Sequence, residues 1–139
     1  MKRMLLIFLA SLLLFACNSK AEKAASEQNI ETGLKGRSYV LASVDAKTFA
    51  NDFKVPKLVF GGDGAIGGNV CNQFSGKGVF VGNVFKVPQV AATMMLCPDE
   101  QLNKLEQIFF NMLRKGISVT LEEGKLTLSG DGQIWNLSK

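Results

Sequence analysis

The chain has 139 residues, enough for one domain; 47% are hydrophobic and 20% charged, which excludes both a disordered chain and a multi-span membrane protein. The formal net charge is +4 and histidine is absent. The missing histidine excludes Ser-His-Asp and Cys-His nucleophile pairs, imidazole proton shuttles and every histidine-ligated metal site.

Residues 1–16 read as a secretory signal peptide. Met1-Lys2-Arg3 supplies a positive start, and Met4 to Leu14 is an uncharged apolar run too short for a stable transmembrane helix. The closing Leu14-Phe15-Ala16-Cys17 resembles the bacterial lipobox. That resemblance implies acylation of Cys17, which becomes the first residue of the mature chain and a membrane anchor. Asn18, rather than Asp, after the cysteine implies the outer membrane, facing the periplasm. Loss of Lys2 and Arg3 with the signal leaves 14 basic against 12 acidic side chains. With no basic run interleaved with aromatics, nucleic acid is not an expected partner.

Asn18 to Gly33 carries one large apolar residue, Ile30, so residues 17–33 are expected to form a lipidated cysteine and flexible tether. Such a tether spans roughly 20–25 Å. The folded domain is expected at 34–139. Period-two patterns predict strands at Ser38 to Ser43, Lys57 to Phe60 and Ala65 to Gly68, the last with glycines suited to a bulge. Phe74 to Phe80 and Val84 to Val87 predict a hairpin turning at Gly82-Asn83. The run from Asp99 to Lys115 has Leu102, Leu105, Phe109, Met112 and Leu113 at helical spacing, with Pro98 in the first turn and Gly116 as its stop. Strands at Ser118 to Leu121, Lys125 to Leu128 and Gln133 to Leu137 complete the chain. The expected class is α+β: a small curved antiparallel sheet or partial barrel with one helix packed on it.

Candidate chemistry is sparse. Gly62-Asp63-Gly64-Ala65-Ile66-Gly67 spells a dinucleotide fingerprint, but no helix follows to hold a pyrophosphate, so a hairpin is expected. Cys71 and Cys97 are an even pair in an oxidising compartment. They fit a disulfide closing a 26-residue loop, two buried thiols, or a reactive or metal-binding pair. Thr93-Met94-Met95-Leu96-Cys97 offers soft donors of the kind copper(I) selects, but the methionines are expected in the core or lining a pocket. Asp63, Glu122, Glu123 and Asp131 fall in turns and are expected to be solvated.

Phe60, Asp63-Gly64, Ile66-Gly67, Cys71-Asn72-Gln73-Phe74-Ser75-Gly76 and Val90-Ala91-Ala92-Thr93-Met94-Met95-Leu96-Cys97 together resemble the META/HslJ family. That family's pattern is Phe, a glycine turn, Gly-Cys-Asn-x-Phe-x-Gly, Thr-x-Met-Ala-Cys and then a helix. Val70 and Leu96 depart from its glycine and alanine, and Tyr39 stands where many members have tryptophan. Asn72, Phe74, Gly76, Thr93 and Met95 are family-motif positions. The resemblance implies a small envelope domain, often lipid-anchored, linked to heat shock and drug tolerance. It supplies no catalytic residue, cofactor or metal. Its fold is similar to that of secretin pilots, which bind lipid and a secretin tail. The function expected is therefore a non-enzymatic binding or chaperone-like module of the envelope stress response, whose partner is an envelope protein or hydrophobic ligand. The alternatives are a pilot-like carrier with an apolar groove lined by Phe109, Phe110 and Met112, and a thiol-redox or copper protein.

Overall fold

A computed structural model describes residues 30–139. The signal segment, Cys17 and most of the tether lie outside the described residues. A short helix, α1 (residues 30–34), leads into strands β1 (Arg37–Val44), β2 (Lys47–Thr48), β3 (Lys57–Phe60), β4 (Ala65–Asn69), β5 (Gln73–Lys77), β6 (Val79–Val81), β7 (Val84–Lys86) and β8 (Val90–Ala92). Helix α2 (Glu100–Lys115) and strands β9 (Ile117–Glu122), β10 (Lys125–Gly130) and β11 (Gln133–Ser138) follow.

The sheet runs β6-β7-β9-β10-β11-β1-β3-β4-β5-β8, antiparallel at each pairing, with β2 on β1. β5 lies next to one end of this order and β6 forms the other end, yet only Gly78 separates them in the chain. The sheet must therefore curl until its ends approach, giving an antiparallel half-barrel. Alternating burial along β3 and β10 fits this, with one side chain in two turned inward.

Helix α2 lies on this half-barrel through one apolar stripe. Phe109 and Met112 are fully buried, and Phe109 stacks on the fully buried Trp135 of β11 at 4.7 Å. The helix starts at Asp99, whose side chain accepts from the Leu102 N–H, and stops at Gly116 (φ 108°). Pro98 therefore precedes the cap and is outside the first turn where it was expected. A hydroxyl-free core would suit this interior; instead the Tyr39 hydroxyl is buried without a hydrogen-bond partner among the described residues.

Several sequence expectations are corrected. Ile30 packs against the core and Glu31 accepts from the Gly64 N–H, so 30–33 belong to the packed domain rather than to a flexible tether. α1 adds a second helix to the one expected. The glycines of β4 form no bulge, because β3 and β4 pair in unbroken register. Gly68 instead lets two backbones approach: its φ is 141°, and a Cβ there would sit 2.0 Å from the Lys57 carbonyl oxygen. The irregular register falls in β1, between Leu41 and Ser43. The single strand expected at Phe74 to Phe80 breaks at Gly78, where the chain leaves β4 and turns to pair with β7.

Two predictions follow from this packing. Removing the unpartnered hydroxyl by Tyr39→Phe should leave stability unchanged or raise it by up to about 1 kcal/mol in denaturant melts, whereas Phe109→Ala should cost about 3–5 kcal/mol. The Asp99 carboxyl is held below its ordinary 3.8, chiefly by the Leu102 N–H and then by Asn51. The folded chain thus binds that proton more weakly than the unfolded chain, and the cap's ionised form stabilises at neutral pH. That contribution should fade as pH falls below 3.8 towards the folded value, and Asp99→Asn, which keeps an acceptor, should flatten the melting temperature in that acid range.

Candidate functional site

The polar groups that matter converge where the β4–β5 turn meets α2. The turn residue Asn72 is buried, and so is Glu106, one turn along the helix from Leu102. One Glu106 carboxylate oxygen accepts from the Cys71 N–H (3.0 Å) and the Asn72 N–H (2.6 Å); the other accepts from the Asn72 side-chain amide (2.9 Å). Three donors on one buried carboxylate fix the turn against the helix.

The same Asn72 amide holds the loop that follows β8. Its nitrogen also donates to the Met95 carbonyl (3.2 Å), and its oxygen accepts from the Met95 N–H (2.9 Å) and the Thr93 hydroxyl (3.2 Å). All four hydrogen-bonding positions of the side chain are thereby used. Thr93 in turn accepts from the Gln73 N–H. Outside the turn, the Lys54 ammonium donates to the Cys71 carbonyl (3.0 Å).

Cys71 and Cys97 form a disulfide with Cα atoms 6.0 Å apart, which selects one of the three arrangements open to the pair. Together with fully buried Leu102, and with Phe49 against them, they make a second small core beside the main one. The loop 93–97 is thus pinned covalently at Cys97 and by hydrogen bonds at Met95. Bonded to each other, the two sulfurs are not available as thiolates for redox or copper chemistry. Among the described residues no three His, Cys, Asp or Glu side chains gather as a metal site.

The remaining motif residues have packing roles. Phe74 meets Phe109 at 5.6 Å and Phe110 at 5.4 Å, both edge-on, tying β5 to α2. A Cβ on Gly76 would come within 2.6 Å of Val87 and 3.1 Å of the Gln89 carbonyl oxygen, so β5 needs glycine there. The departure Val70 is fully buried.

Two expectations fail here. Met94 and Met95 are 98% and 74% exposed, not core or pocket lining, and Leu96 is 92% exposed. The Asn72 clamp holds the loop by its backbone and so leaves the side chains pointing out. Phe109 and Met112 line no groove either, because they fill the interior, and Phe110 only borders an open surface depression with Gln107, Ile108, Asn111, Arg114 and Asp131. A shallow cleft of about 220 Å³ lies between Val44, Thr48, Phe49, Gln101 and Leu105. The turn carboxylates Asp63, Glu122, Glu123 and Asp131 are exposed as expected, and Asp131 also accepts from Lys115 and Asn111 of α2 at the surface. Glu106 was missed altogether. Its signal was present: a charged residue between Leu102, Leu105 and Phe109 on the apolar stripe.

The chain matches the META domain family over residues 32–139. It is 33% identical over 129 residues, covering 93% of this chain and 89% of the relative, to the Heat shock protein HslJ of Escherichia coli (strain K12). A solution NMR structure at 32% identity superposes with a TM-score of 0.70 over 78% of this chain and 92% of that one. A second, from Burkholderia xenovorans, has 18% identity and a TM-score of 0.62 over 79% and 86%, and shares the fold. The chain belongs to the META domain family.

The Asn72–Glu106 pair makes a sharp prediction. Asn72→Asp places a carboxylate against the Glu106 carboxylate and removes the donor to Met95; it should cost about 2–4 kcal/mol in denaturant unfolding. Adding Glu106→Gln should recover a measurable part of that loss, and independent, additive effects in the double-mutant cycle would refute the contact.

Proposed function

We propose that this META-domain protein is a lipid-anchored envelope protein that works by binding, as a chaperone-like module of stress tolerance, and not by catalysis. The observation that carries the reading is the use of the motif's own chemistry. The Asn72 amide, the Glu106 carboxylate, the Thr93 hydroxyl and both cysteine sulfurs are engaged with one another or with backbone, and none is presented to a substrate. What they hold outward is apolar: Met94, Met95 and Leu96. Such a site suits contact with an apolar surface better than proton or group transfer.

The lipobox-like Leu14-Phe15-Ala16-Cys17 and the following Asn18 support acylation at Cys17 and residence on the periplasmic face of the outer membrane. The heat-shock name of the E. coli relative supports a role in thermal stress. No observation favours the pilot-like carrier, since the side chains that would line its groove are packed. The copper and thiol-redox reading loses its thiolates to the disulfide.

In native cells, the protein should incorporate labelled palmitate and fractionate with the outer membrane, while Cys17→Ala should do neither. A strain lacking the protein should survive a heat challenge less well, with rescue by the wild type and not by Cys17→Ala. Full rescue by the unanchored variant would contradict the reading.

A further inference from the structure

The exposed apolar residues are not scattered evenly. Met94, Met95 and Leu96 lie on the loop clamped by Asn72 and Cys97, while Phe53 (56% exposed) and Val55 (40%) lie on the loop between β2 and β3. Both loops meet at the same turn: Lys54 bonds the Cys71 carbonyl, and Asn51 bonds Asp99 just beyond Cys97. One end of the half-barrel therefore presents five large apolar side chains, with Met94, Met95 and Leu96 on a loop pinned by the disulfide and the Asn72 hydrogen bonds and Phe53 and Val55 on a loop tied to it through Lys54 and Asn51. Rigid presentation matters, because ordering a loosely held loop on contact would cost conformational entropy that is already lost here.

We propose that this end of the domain is a membrane foot, whose Met94, Met95 and Leu96 side chains enter the headgroup–acyl boundary of the bilayer that carries the Cys17 anchor. The inference rests on the acylation of Cys17 proposed above. The occupant is set by the length of chain outside the described residues. Cys17 is 13 residues ahead of Ile30. Fully extended, thirteen residues reach at most roughly 45 Å. α1 sits at the far end of β4 from the foot, since Glu31 bonds Gly64 before β4 and Asn72 follows it. The five residues of β4 span about 17 Å. That reach exceeds the length of β4 that separates α1 from the foot, so Cys17 can sit in the bilayer while the foot touches it, and the anchor keeps the foot at high effective concentration beside the membrane. Flexible methionines suit a disordered apolar boundary. Charges of both signs flank the foot: Asp52 and Lys54 lie on one loop, Lys54 bound to the Cys71 carbonyl, and Glu100 pairs with Lys104, so with no net charge of one sign there the contact should not weaken with salt.

The test uses the acylated full chain in vesicles of phosphatidylethanolamine and phosphatidylglycerol carrying brominated acyl chains. The only tryptophan, Trp135, is fully buried, so an indole introduced by Leu96→Trp reports over a constant background. It should emit to the blue of its value without vesicles and lose more than half its intensity to bromine, equally at low and high salt. Lys125→Trp, beside α1 through the Leu121–Leu126 pairing, should stay water-like. Met94→Ser with Met95→Ser, which leave the core and disulfide untouched, should abolish the quenching at position 96. A chain that floats with the vesicles while its position-96 indole stays in water overturns the foot, keeps the anchor, and leaves the loop to a protein partner. A chain that does not float, with Cys17 unacylated by mass, overturns both.

Discussion

A single buried carboxylate organises one end of this molecule. Glu106 sits on the apolar stripe of α2, where a charged side chain costs desolvation unless its oxygens are occupied. The Cys71 and Asn72 backbone N–H groups and the Asn72 amide occupy them. In exchange, the turn that leaves β4 has a fixed position on the helix, and Asn72 is aimed at the loop after β8. The disulfide then closes the same junction covalently. Turn, loop and helix belong to one construction, and the loop's outward side chains are its product.

The rest of the fold is the support. The half-barrel supplies an apolar interior for Trp135, Phe74 and Tyr39, and α2 closes it with Phe109, Phe110 and Met112. Because those aromatics are needed inside, the sheet and helix leave no deep groove between them. Exposed apolar side chains stand instead on the loops at one end and on the β6–β7 hairpin, where Val79, Val81 and Val84 face out.

Much of this was legible in the sequence. Period-two runs place β1, β3, β9, β10 and β11, because half-buried strands write their faces into alternate residues. Gly116 marks the end of α2 through capping chemistry that is local, whereas its start was read one residue early, with Pro98 in the first turn instead of Asp99 as the cap. β2 and β8 were not legible: two and three residues long, they are strands only because β1 and β5 offer them a partner. The family motif located Asn72 and Thr93 but not their partners, while the disulfide suspected between Cys71 and Cys97 is present. Met94 and Met95 were misplaced inside because apolarity alone suggests burial, whereas a backbone clamp decides which way a loop's side chains face. Glu106 was overlooked because a lone acidic residue in a helix usually faces solvent, and its three donors come from residues 34 and 35 positions away.

Amide hydrogen exchange on the oxidised protein tests the junction most directly. If Glu106 and Asn72 hold it, the N–H groups of Cys71, Asn72 and Met95 should exchange as slowly as those in the middle of α2, and Glu106→Leu should release all three together while the protection of β10 and β11 persists. Fast exchange at these amides in the wild type, or their unchanged protection in the variant, would contradict the account.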